Sequence, residues 1–192
     1  MRRFVFSLAF PALLLALSSP TTAAQKPANR KPTQAQDKYP STLSREIHHQ
    51  ILMLPFFSVF DSISCTIDGS RVTLTGQVVR RTLRDHAAAA VQSIEGVDTV
   101  VNHIEVLPVS PADDDLRRAV YRAIYEDSTL ARYAVQSVPQ IHIIVKNAAV
   151  SLEGSTNSEL DKTLAAQRAG SVANVLSVKN NLVVQPKGSA AE

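Results

Sequence analysis

One pattern, stated twice, constrains this chain more than any other feature. Ile63-Ser-Cys-Thr-Ile-Asp-Gly-Ser-Arg-Val-Thr-Leu-Thr-Gly76 returns as Ile141-His-Ile-Ile-Val-Lys-Asn-Ala-Ala-Val-Ser-Leu-Glu-Gly154, an offset of 78 residues. The same offset runs on without a gap through Val100/Val178, Asn102/Asn180, Ile104/Leu182 and Val106/Val184. Internal repetition decides architecture before any local assignment. This period is too long for a solenoid unit, so the 192-residue chain reads as two copies of one small domain. Each copy holds roughly 65–70 residues, which bury only a thin core and are marginally stable alone. That favours packing of the copies on each other or on something else.

Within the first copy, Leu43, Ile47, Ile51 and Leu54 share one face and predict a helix over Thr42 to Leu54, stopped by Pro55. The counterpart runs from Asp114 to Glu126 with Leu116, Val120, Ala123 and Ile124 as its stripe. Asp113, Asp114 and Asp115 stand at its start, where one can cap and all suit the helix dipole. The helices are 73 residues apart, so the second copy carries five extra residues before its first strand. In the first copy that connection is apolar: Phe56, Phe57, Val59 and Phe60. One or two of the phenylalanines are expected to roof the small core, each contributing roughly 1.5–3 kcal/mol. One left protruding would be a contact or membrane-insertion point.

The repeated stretch is a hairpin. Ile63, Cys65 and Ile67 face inward, Asp68-Gly69 turns, and Val72, Leu74 and Val78 return on the same face. Asn147 replaces Gly69 in the second copy, and both residues tolerate positive φ. Gly76 and Gly154 are read as ending the second strand at a bend or a crossing helix. A second helix follows, Thr82 to Glu95 with Gly96 after it, mirrored by Ser158 to Val172 with Asn174 in the place of Gly96. The third strand is Thr99 to Leu107, mirrored by Ser177 to Gln185. Asn102 and Asn180 fall in phase with its inward residues, so each amide needs a partner, expected in nearby turn backbone. The fold class is therefore α+β: two tandem α-β-β-α-β units, each a three-stranded mixed sheet with two helices on one face. A right-handed crossover makes the third strand parallel to the second. Residues 42–108 and 113–186 are the two domains, joined by the short stiff Pro108-Val-Ser-Pro-Ala112.

Ahead of them, Arg2 and Arg3, an apolar run from Phe4 to Leu17 and small residues ending at Ala24 form the three parts of a secretory signal over residues 1–24. A membrane anchor is the rival reading, but the run is shorter than the ~20 residues a span needs, and Pro11 interrupts it. Residues 25–41 read as a disordered leader and 187–192 as a disordered tail. Without the signal the chain is close to neutral, which argues against a nucleic-acid partner. Cys65 is the only cysteine, so no intramolecular disulfide exists, and its phase makes it a buried small hydrophobe.

Val72-Thr-Leu-Thr-Gly76, an alanine-rich helix, then Gly96-Val97-x-x-Val100-x-Asn102-x-Ile104-x-Val106 together resemble the BON domain, named for bacterial osmotic-stress and nodulation proteins. Val150-Ser-Leu-Glu-Gly154 and Val175-x-x-Val178-x-Asn180-x-Leu182-x-Val184 resemble it too, departing at Asn174 and in a less alanine-rich helix. The resemblance covers about residues 42–186. It implies a periplasmic protein of envelope maintenance or osmotic stress, binding phospholipid without enzymatic chemistry and without a cofactor.

The residues themselves speak against catalysis. His48 and His49 are adjacent on a helix and point apart, while His86, His103 and His142 are isolated, so no metal site is expected. Neither a nucleophile motif nor a phosphate-cradling glycine loop is present. Arg118, Tyr121, Arg122 and Tyr125 lie at i, i+3, i+4 and i+7 on one helix face, a composition suited to anionic lipid headgroups. A plain solvated face with half-buried tyrosines is the alternative. Charge alone is weak, since Arg117, Arg118 and Arg122 at ~1 kcal/mol apiece supply about 3 kcal/mol. Arg80, Arg81 and Arg84 form a second basic patch that Ser158, Glu159 and Lys162 do not repeat. The resemblance and this face together make an anionic phospholipid or membrane surface the expected partner. The alternative is a scaffold that binds another envelope protein or peptidoglycan through Phe56, Phe57 and Phe60.

Overall fold

The computed structural model describes residues 38–135 and 138–185, with side chains from Thr42 onward. The segments read as signal, as leader up to residue 37 and as tail lie outside the described residues. The first copy runs α1 (Lys38–Leu52), β1 (Ser62–Asp68), β2 (Arg71–Val78), α2 (Arg81–Gln92) and β3 (Thr99–Val106). The second runs α3 (Pro111–Tyr125), a 3-10 turn (Ala131–Ala134), β4 (Ile141–Lys146), β5 (Ala149–Thr156), α4 (Glu159–Gly170), β6 (Ser177–Asn180) and β7 (Val183–Val184). β1 is antiparallel to β2 and β3 is parallel to it, the order that the crossover rule predicts. β4, β5 and β6 repeat this, and β7 continues the third strand beside β5.

Both helices of each unit cover one sheet face. Ile47 and Ile51 of α1 and Leu83, Ala87 and Val91 of α2 meet Val72, Leu74, Val78 and Ile104. Leu116, Val120 and Ile124 of α3 with Ala165 and Ala169 of α4 do the same over Ile143, Val150, Leu152 and Leu182. β4 departs from strict alternation, because Ile143, Ile144 and Val145 are all buried.

Several local expectations change for identifiable reasons. α1 begins at Lys38, inside the segment read as leader, since Pro40 falls in the first turn, where its missing N–H costs nothing. α3 begins at Pro111, and the Ser110 hydroxyl rather than an aspartate caps it by accepting from the Asp113 N–H at 3.2 Å. The first hairpin turns on Gly69-Ser70, as the pairing of Asp68 with Arg71 requires. The second turns on Asn147-Ala148, both at positive φ (51° and 61°). An alanine there is strained by ~1–2 kcal/mol. The buried Asp113 carboxylate holds it, accepting from the N–H groups of Asn147 and Ala148, both at 2.9 Å.

Gly76 and Gly154 sit inside β2 and β5 rather than at their ends. Their φ values are 126° and 102°, and an added Cβ would meet the carbonyl oxygen of Ser62 at 2.0 Å or of Gln140 at 2.1 Å. The obstacle is thus the backbone leading into or opening the neighbouring strand, not a helix. Asn102 and Asn180 find their partners in helices: Nδ2 donates to the Arg84 carbonyl at 3.0 Å and to the Lys162 carbonyl at 2.9 Å.

The two copies pack on each other through the loop after α1. The buried Asp61 carboxylate pins it, accepting from the Val79 N–H at 2.8 Å, the Ser58 N–H at 3.0 Å and the Ser58 hydroxyl at 2.7 Å. Val59 then enters the core of the second copy, and its carbonyl accepts from the Ile143 N–H at 2.8 Å. Lys146 also reaches Glu105 at 2.5 Å, but both side chains are two-fifths exposed, so the pair adds at most ~1 kcal/mol.

Candidate functional site

The pinned loop distributes its three phenylalanines. Phe57 packs on the first core and lies 5.7 Å from the His142 ring. Phe60 packs on the second core and meets Tyr121 edge-on at 6.2 Å. Phe56 alone stays out, two-thirds exposed. The expected roof over one core is therefore a bridge between two, with one ring left over.

Phe60 completes a depression of about 550 Å³ whose other lining residues are Arg118, Tyr121 and Arg122. α3 sets their spacing, and its buried stripe turns this face outward. Tyr121 is half-buried and forms the floor with Phe60, while the two arginines are exposed at the rim. Arg118 pairs with Asp115. Arg122 donates from Nε to the Arg118 carbonyl at 3.4 Å and has no ion-pair partner among the described residues.

Tyr125 leaves the predicted face. It is 7% exposed, lies against Tyr121 with the rings tilted and their centres 4.9 Å apart, and donates its hydroxyl to the Ile141 carbonyl at 2.5 Å. Burial pushes its phenol well above the ordinary range, so it stays neutral and structural. Arg117 also drops out of the basic surface: it is buried, bonded to Asp114 and to the Val145 carbonyl. The basic face of α3 thus falls from three arginines to Arg122 and an Arg118 already paired with Asp115, at most about 2 kcal/mol near an anionic surface.

The BON domain family model matches residues 41–108 and again residues 112–186. The chain belongs to the BON-domain family. BON domains are binding modules rather than enzymes, associated with membranes and phospholipid in envelope proteins. No curated protein matches the chain. Similar solved structures include CdsD, a structural protein of the type III secretion system of Chlamydia trachomatis, at 13% identity and a TM-score of 0.29, covering 77% of this chain and 94% of that one. The C-terminal domain of CdsD is similar at 14% identity and a TM-score of 0.26, covering 74% and 96%. Scores this low inform neither fold nor site. No helix among the described residues is long and apolar enough to cross a membrane.

The basic patch of the first BON domain is reduced from three arginines to two. Arg84 pairs with Asp85 at 2.8 Å, Arg81 is exposed, and Arg80 places its guanidinium 4.8 Å from the centre of the Phe56 ring. A cleft of about 390 Å³ that the sequence does not announce lies where the domains meet, lined by His48, Ile51, Phe57, Cys65, His142 and Glu153 among others. His142 is half-buried there beside the backbone of Ser58 and Asp61, and burial holds the imidazole below its ordinary pKa. Cys65 faces the core side but is only half-buried, and burial raises its thiol, so it remains protonated and unreactive. Among the described residues no three His, Cys, Asp or Glu side chains group closely enough to hold a metal ion.

Proposed function

We propose that the chain is an exported, non-enzymatic module of the cell envelope that binds an anionic phospholipid surface through Phe60, Arg118, Tyr121 and Arg122. One observation carries the reading: an aromatic from the first domain and two arginines and a tyrosine from the second line one depression. Arginine recognises phosphate oxygens, and a half-buried tyrosine belongs at the boundary between headgroup and acyl chain. Export rests on the three-part pattern of residues 1–24, with cleavage after Ala24 and a periplasmic destination. The scaffold alternative, binding an envelope protein or peptidoglycan through the apolar loop, keeps only Phe56 exposed, because Phe57 and Phe60 are half-buried against the two cores.

The test is co-sedimentation with vesicles of phosphatidylglycerol and phosphatidylethanolamine. Binding is expected at low salt, weakening as salt rises, and Arg118→Glu with Arg122→Glu is expected to abolish it. Absence of binding at low salt would overturn the proposal.

A further inference from the structure

Three turns of this molecule leave their helices by the same path, and one of them breaks the rule that the others obey. After α2 the chain exits through Gly96 at φ 88°, and after α4 through Asn174 at φ 68°. Both residue types enter the left-handed region at little cost. After α1 the residue in that conformation is Phe56, at φ 70°. For a bulky side chain this is an outlier that persists only where the surroundings over-determine it. Burial does not supply the compensation, since Phe56 is 66% exposed and Met53, in the same turn, is 68% exposed.

The residue stacked on that ring breaks a second rule. Arg80 stands at the N-cap of α2 without a capping hydrogen bond, Arg81 follows, and the first turn holds no acid. α3 and α4 instead have serine caps and acidic first turns. Two arginines at the positive end of a helix oppose its dipole. Neither Arg80 nor Arg81 has an ion-pair partner among the described residues. Two local choices that each disfavour the fold therefore meet at one exposed point, an aromatic tip beside uncompensated positive charge. Violations of local rules concentrate at functional sites.

We infer that Phe56 and Met53, with Arg80 and Arg81, form a second membrane-contacting point: an apolar wedge entering the surface of an anionic bilayer while the arginines hold its phosphates. The choice of occupant rests on the proposed function, and charge complementarity with apolar exposure supports it. The wedge lies on the first domain, separate from the depression on α3. Two weak contacts multiply rather than add in affinity when both engage the same membrane, which would answer the weakness of the α3 arginines acting alone.

The sequence contains no tryptophan, so single replacements report position directly. In the full chain, Phe56→Trp is expected to shift its emission to the blue on anionic vesicles and to be quenched by lipids brominated near the headgroup. Val109→Trp, at a residue 98% exposed in the inter-domain linker, is the unquenched control. Phe56→Asn is expected to raise the denaturation midpoint by relieving the backbone, yet to bind vesicles about tenfold more weakly, the loss expected for removing one partly inserted aromatic. A merely structural Phe56 would leave vesicle affinity unmoved. If Phe56→Trp stays unquenched on vesicles that quench Tyr121→Trp, the wedge is refuted while the α3 site stands. If neither is quenched and the wild type does not sediment, the function proposed above fails and the wedge with it. An emission shift in Phe56→Trp that follows protein concentration without vesicles would make the patch a contact between copies and overturn the inference.

Discussion

The first helices of the two copies, α1 and α3, share a skeleton and differ in what they present. Leu43, Ile47 and Ile51 stand where α3 has Leu116, Val120 and Ile124, and both sets pack on their own sheets. On the neighbouring face, Arg45, His48, His49 and Leu52 correspond to Arg118, Tyr121, Arg122 and Tyr125. His48 lines the closed-in cleft between the domains with Phe57, whereas Tyr121 floors the open depression with Phe60. One loop thus meets both helices but assembles an arginine-rimmed surface on only one of them. Duplication kept the packing and left the exposed faces free to diverge, so shared residues report the fold and differing ones carry the proposed binding surface.

The largest effect tests the shared part. Gly76→Ala and Gly154→Ala are each expected to destabilise by about 3–5 kcal/mol, from a forbidden φ plus a carbonyl in the way. Chemical denaturation measures both, and a difference between the two larger than about 2 kcal/mol would show that the copies do not share this constraint.

A middle-sized effect tests where the hairpins part. Asp113→Ala strips the carboxylate from the N–H groups of Asn147 and Ala148 and is expected to cost about 1–3 kcal/mol. Ala148→Gly relieves the turn and is expected to recover part of that loss in the same background. The first hairpin, which uses Gly69, has no such dependence. An unaltered denaturation midpoint in Asp113→Ala would remove the distinction.

The smallest effect is a pH dependence confined to the second copy, where His142 stands at the position of Ser64. Burial depresses the folded-state pKa of His142. Its contribution is therefore fully present above the unfolded value near 6.5 and declines as pH falls through that value toward the folded one. Hydrogen bonds lower the carboxyls of Glu105, from Gln77 first, and of Asp127, from the Thr129 N–H first. Their contributions are lost only below about pH 4, outside the histidine window. Thermal unfolding from pH 7 to 5 is expected to show a decline that His142→Gln flattens, and an equal decline in the variant would assign the dependence elsewhere.

The fold was readable because it depends on local periodicity. Alternation marked the hairpin strands, and spacings of three and four marked the stripes on α1 and α3. The site was readable only in part. Arg118, Tyr121 and Arg122 follow from one helix and were visible together. Tyr125 shares that face in projection, but its hydroxyl turns inward to the Ile141 carbonyl. Phe60 gives no local sign that it joins them, being 61 residues from Tyr121. Likewise Phe56 and Arg80 read as two separate candidates until the exit turn of α1 brought them together.

The sequence by itself determined two α-β-β-α-β units, the order and direction of their strands, and their turns to within a residue. Those properties depend on backbone geometry and on which side of a helix or strand a residue occupies, and the chain writes both locally. Tertiary structure alone decided which phenylalanine each domain received, which arginines were neutralised or buried, and where the depression and the exposed Phe56 lie. Inward alternation states only that a side chain leaves water. It does not state which surface covers it, because that depends on how two marginal cores dock.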